Sequence, residues 1–106
     1  MSIFNHHIYE YKKGLRNLIL HTVSCDLIEE IEKKLQDEGI SYIVSRINAK
    51  RANVFFGNKA CIEVLKRFGN KALNQFTDEE DFMLSILLGY DQIQQCQRYL
   101  QRRFRK

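Results

Sequence analysis

A chain of 106 residues forms one domain and can bury a core without disulfides or a structural metal, and its 44% hydrophobic and 28% charged residues are the composition of a soluble globular protein. Its three cysteines are widely spaced and odd in number, which excludes a disulfide framework and zinc-finger spacing and fits a reduced, cytoplasmic setting. The net charge of +4 is local: five of the 17 basic residues, Arg98, Arg102, Arg103, Arg105 and Lys106, fall in 98–106 with no acid among them, so the rest of the chain is nearly neutral and the basic balance is weak evidence for nucleic acid.

There is no proline and no glycine- or serine-rich tract, so residues 1–106 read as a single domain. No basic-then-apolar leader is visible, and no apolar run approaches the roughly 20 residues that span a bilayer. The expectation is a soluble intracellular protein with no membrane contact.

Residues 2–13 are rich in aromatics, but Lys12 and Lys13 followed by Gly14 favour a helix. Residues 16–23 read as a buried strand with apolar groups on both faces. A helix follows, with Asp26 as its cap, Glu29 at capping-box spacing, and Ile28, Ile31 and Leu35 on one face. The pairs Glu29 with Lys33 and Glu30 with Lys34 support it, and Gly39 ends it. Residues 41–47 form a second strand. A polar turn from Asn48 to Arg51 leads to a third strand through Val54, Phe55 and Phe56, antiparallel to the second. Asn58 caps a helix with Cys61, Val64, Leu65 and Phe68 inward, and Gly69 closes it. Residues 70–76 are a helical turn or loop. Thr77 and Glu80 form a capping box that opens one long helix, with Phe82, Ile86, Tyr90, Ile93, Leu100 and Phe104 in a stripe and Gly89 as a bend.

The predicted fold is α+β: a three-stranded mixed sheet in a strand-helix-strand-strand-helix core, an N-terminal helix and a long C-terminal helix. The first two strands, linked by a helix, are expected to pair in parallel. All three strands carry apolar groups on both faces, so terminal helices or a second copy of the chain must cover the sheet. A homodimer is expected.

The three histidines lie within the first 21 residues. His6, His7, Tyr9, Glu10, Tyr11 and His21 form the candidate binding site. On a helix, His6 meets Glu10 and His7 meets Tyr11, on different faces, so the two histidines do not form a ready chelate. No metal site is assigned. A histidine-carboxylate pair can orient a general base, but no nucleophile accompanies it, so no catalytic residue or cofactor is assigned and an enzyme is the alternative to a binding protein. Amides at the Gly57–Lys59 junction can hold an anion, although Asn58 explains that junction as a cap. Phe55 and Phe56 beside Lys50 and Arg51 suggest a stacking platform for RNA, but core packing accounts for them better. Cys61 and Cys96 fall on inward stripes, and Cys25 lies near a helix start where a thiol is more reactive. Arg98, Arg102, Arg103 and Arg105 form a candidate partner surface. Nucleic acid there is a further alternative, tested by salt dependence.

The segments His6-His7-Ile8-Tyr9-Glu10-Tyr11, Lys13-Gly14-Leu15-Arg16, Leu20-His21-Thr22, Asn53-Val54-Phe55-Phe56-Gly57 and Leu87-Leu88-Gly89-Tyr90-Asp91 resemble a small bacterial family classed as a domain of unknown function. The resemblance runs over nearly the whole chain. It implies an α+β fold with three strands and several helices, and a homodimer. Some relatives are encoded beside flavodoxin, which implies a non-enzymatic accessory role with an acidic flavodoxin-type partner facing the basic segment. The family has no established catalytic residues, and none is transferred.

Overall fold

The alternation of apolar residues in three strands decides the architecture. The computed structural model describes residues 2–104, and among them are five α-helices and three strands. The order is α1 (Ser2–Lys12), β1 (Leu18–Ser24), α2 (Ile28–Asp37), β2 (Ser41–Arg46), β3 (Arg51–Gly57), α3 (Lys59–Lys66), α4 (Asp78–Leu87) and α5 (Gln92–Phe104). The α+β class and the three strands agree with the sequence reading.

The strand order is β1-β3-β2, and both pairs are antiparallel. β1 and β2 run in the same direction, but β3 lies between them, so the sheet is antiparallel where a mixed sheet was expected. Burial explains the arrangement. Ala52 to Gly57 are all buried, and only the central position covers a strand so apolar on every side. The local hairpin supplies the rest: the Asn48 side chain accepts hydrogen bonds from the amides of Lys50 and Arg51, and the Ile47 amide donates to the Arg51 carbonyl.

Each sheet face is covered from within the chain. Ile19, Val23, Val54 and Phe56 pack under α1 and α2, with Phe4, Ile8, Ile31 and Leu35. Leu18 and Phe55 pack under α3 and α4, with Ile62, Leu65, Leu84 and Leu88. The requirement for cover is therefore met by helices, without a second copy over the sheet.

Several helix ends follow the sequence. Asn58 caps α3 by accepting from the Ala60 amide. Thr77 and Glu80 form the reciprocal capping box of α4. Asp26 does not cap α2. It sits in a 3₁₀ turn, Cys25–Leu27, where it accepts from the Ser24 hydroxyl, and α2 starts at Ile28. The lysines of α2 pair forward, Lys33 with Asp37 and Lys34 with Glu38, instead of back to Glu29 and Glu30. In α3 Leu65 is buried as expected and Cys61 and Phe68 pack against the same core, but Ile62 takes the buried place beside Leu65 and Val64 is exposed.

The largest departure is at the C-terminal end. The single long helix is two. Gly89, at φ +84°, ends α4, with its amide on the Ile86 carbonyl and the Tyr90 amide on the Ser85 carbonyl. Asp91 then accepts from the Gln94 amide and starts α5, which folds back antiparallel along α4. No residue of α5 is buried. The radius of gyration, 14.5 Å, exceeds the roughly 13 Å of a compact domain of this size, in keeping with a helix standing outside the core.

At the opposite corner, Gly57 closes β3 at φ +150°, and a Cβ there would collide with the Asn17 carbonyl. That carbonyl accepts the Asn58 amide at 2.8 Å.

Candidate functional site

Two regions hold the candidate residues. The first is the seam between α1 and β1. Phe4 and Ile8, four apart, are buried on the sheet, and this fixes the roll of α1. His7 then falls half-buried at the rim, and His21, from β1, rises beside it. Their rings meet edge to face with centroids 5.2 Å apart, and Phe4 lies 5.8 Å from His21 on the inner side.

Glu10 is the hub of this seam. His7 Nδ1 donates to Glu10 Oε1 at 3.3 Å. His6 Nε2 stands 4.0 Å from the same oxygen, and Arg16 Nη1 stands 3.8 Å from it. His7 therefore partners Glu10, at i,i+3, and the two histidines share one carboxylate instead of forming two separate surfaces. Tyr11 packs against the core, and Tyr9 is exposed with its ring stacked on His6. Burial, and then the neighbouring His7, hold His21 below the usual histidine pKa, so the neutral imidazole is favoured. Arg16 escaped the sequence reading. Its signal was a basic residue two positions past the glycine that ends α1, where the chain turns back along the helix.

The seam brings together a carboxylate, three histidines and an arginine, a set able to hold or relay a proton. Among the described residues, no group of three His, Cys, Asp or Glu side chains is arranged to hold a metal ion. Cys25 donates to the Asn48 carbonyl at the other end of β1 and does not join the histidines.

The second region is the hairpin of α4 and α5. Arg98 Nε lies 3.1 Å from Asp81 Oδ2. Arg102 bridges Asp78 at 3.4 Å and Asp81 at 3.1 Å, and Arg103 lies 3.3 Å from Glu79. The Tyr99 hydroxyl donates to Glu79 at 2.9 Å, its ring 5.4 Å from that of Phe82. The hydrogen bond from Tyr99 is the main reason the Glu79 carboxyl sits below its usual pKa. Three of the four arginines read as a partner surface are thus paired with the acidic first turn of α4. Arg105 lies outside the described residues.

This pairing sets the roll of α5. Arg98, Arg102 and Gln95 face α4, so Ile93, Leu100 and Phe104 face water, with relative exposures of 67%, 55% and 65%. Cys96 is exposed beside them, not inward as its spacing suggested, and Cys61 is half-buried against the core. Phe55 and Phe56 are buried on opposite faces under helices and offer no stacking platform.

Comparison with known families decides the kinship. The family described as "Protein of unknown function (DUF2023)" matches residues 2–102. The chain belongs to the DUF2023 family. The match spans the histidine seam and nearly all of the hairpin, so both are parts of the DUF2023 domain and not additions to it. No curated protein matches the chain. Among the described residues, no helix is long and apolar enough to cross a membrane.

Proposed function

We propose that this DUF2023 protein is a non-enzymatic binding protein that works as a homodimer joined through α5. One observation carries the reading: α5 docks by its charged face and leaves its apolar face in water. A 13-residue helix is marginal on its own, and amphipathic helices gain most of their stability by burying the apolar stripe. Surface ion pairs contribute about 0–1 kcal/mol each and are a weak anchor.

The occupant we assign to this stripe is the α5 of a second copy. The stripe is flanked on one side by Gln94, Gln97 and Gln101, and on the other by Arg103, already paired with Glu79. Two copies approaching antiparallel across a two-fold axis meet no unpaired like charges among these residues. Ile93 then lies opposite Phe104, and Leu100 opposite Gln97 with the small Cys96 beside it. An acidic partner of flavodoxin type would have to displace Asp78, Glu79 and Asp81 from the same arginines, so the proposal does not place it there.

Sedimentation equilibrium tests the assignment. The wild type is expected to be dimeric at micromolar concentration, with a melting temperature that rises with protein concentration, and Ile93→Glu with Leu100→Glu to be a folded monomer whose melting temperature is lower and independent of concentration. A monomeric wild type, or a dimer that survives both substitutions, would overturn it.

A further inference from the structure

β2 is an edge strand whose outer side is open. The Ile47 amide donates to the Arg51 carbonyl. Alternation along an antiparallel pair then directs Ile43 and Ser45 to β3 and turns the backbone groups of Tyr42, Val44 and Arg46 outward. Among the described residues, none of these three residues makes an outward backbone hydrogen bond. Such an edge is a template for another strand.

Two cavities flank this edge and differ in character. On the α3 side lies a cleft of about 340 Å³ lined by Ile43, Phe55, Leu65, Leu73 and Phe76. On the α2 side lies a groove of about 550 Å³ lined by Glu32, Arg46 and Gln75. Val44, Ser45, Asn70 and Lys71 border both, so the two form one trough between β2 and the segment 69–75. An added strand would send successive side chains alternately into an apolar and a polar space.

Charge selects among such strands. Lys66 and Lys71 stand at the cleft mouth, paired with Glu63 and Glu80. Arg46 forms no ion pair with another described residue. Glu32, the acid of the groove, already accepts from the Tyr42 hydroxyl at 2.8 Å. The trough itself is lined by three cations, Arg46, Lys66 and Lys71, against the single carboxylate of Glu32, so its lining carries an excess of positive charge.

We propose that the trough beside β2 binds an extended peptide of a partner protein, with apolar and acidic residues in alternation, as a fourth strand. Main-chain bonds to Tyr42, Val44 and Arg46 hold it, the cleft takes its apolar side chains, and Arg46 takes an acidic one. The site is independent of α5.

The probe is a fluorescein-labelled peptide Asp-Leu-Asp-Val-Asp-Leu-Asp, followed by polarisation and by amide hydrogen exchange of the full chain. Saturable binding is expected, roughly tenfold weaker for a permuted peptide with its apolar residues consecutive. Bound peptide is expected to slow exchange at Val44 and Arg46 but not at Ile43 and Ser45, which are bonded already. Val44→Pro removes one outward donor and should weaken binding by roughly tenfold. Arg46→Glu, at an exposed side chain, should weaken binding severalfold and serves if the proline variant does not fold. Ile93→Glu should change nothing. No binding up to about 1 mM, equal affinity for the permuted peptide, or protection absent at Val44 and Arg46 would overturn the proposal.

Discussion

α1 and α5 are both amphipathic helices, near opposite ends of the chain, and they dock by opposite faces. α1 presses Phe4 and Ile8 into the core and leaves His6 and Tyr9 outside. α5 presses Arg98, Arg102 and Tyr99 onto α4 and leaves Ile93, Leu100 and Phe104 outside. An amphipathic pattern states that a face must be covered. It does not state whether the cover lies in the same chain. For α1 it does, because β1 follows after a short link and offers an apolar face. For α5 the sheet is already occupied by α3 and α4, and the acidic first turn of α4 captures its cations first.

The contrast can be broken most severely from the α1 side. Phe4 is 1% exposed and packs edge to face on Phe56 at 5.4 Å. Phe4→Ala is expected to cost about 3–5 kcal/mol, read as a lower urea midpoint with an unchanged slope. The corresponding cut at α5 is smaller. Tyr99→Ala removes the hydrogen bond to Glu79 and the contact with Phe82, and should cost about 1–2 kcal/mol. The loss should be confined to the hairpin: amide exchange should accelerate through α5 and stay unchanged in α1.

The smallest expected effect sharpens the contrast by pH. His21 has its pKa lowered by burial and by His7, so the unfolded chain binds the proton more readily. The α1 seam, where His7, Glu10 and Arg16 also stand, should lose stability as pH falls from 6.5 through the lowered folded value, and level off below it. Glu79 has its pKa lowered mainly by Tyr99, so the hairpin should hold its stability down to about 4.5 and lose it as pH falls further. Exchange rates followed from pH 7.5 to pH 3.5, corrected for intrinsic rates, should show α1 loosening before α5. His21→Phe should abolish the first step and leave the second.

The sequence showed most clearly what depends on neighbours in the chain. The Asn58 cap, the Thr77–Glu80 box and the β2–β3 hairpin are each fixed within a few residues. The central place of β3 was less visible, because pairing order depends on which strand needs burial on every side. Gly89, inside an apolar stripe that continues on both sides, reads as a bend. Only the later acceptor Asp91, and the complementarity of Asp78, Glu79 and Asp81 with Arg98, Arg102 and Arg103, make it a full reversal. At the histidines, helical spacing correctly kept His6 and His7 from reading as a chelate. It paired His7 with Tyr11 because i,i+3 and i,i+4 neighbours are equally available on a bare helix. The roll of α1, set by Phe4 and Ile8, decided for Glu10. The meeting of His7 with His21 needed the tertiary contact itself.

The hydrogen bond from Asn58 to the Asn17 carbonyl joins parts of the molecule on opposite sides of the sheet. Asn17 belongs to the link that leaves α1, and Asn58 is the cap of α3. With Gly57 leaving no room for a side chain between them, this corner behaves as a rivet through the two helical layers. A residue inserted between Gly14 and Asn17 would therefore be felt on the far face, at the first turn of α3, before it was felt anywhere else in the sheet.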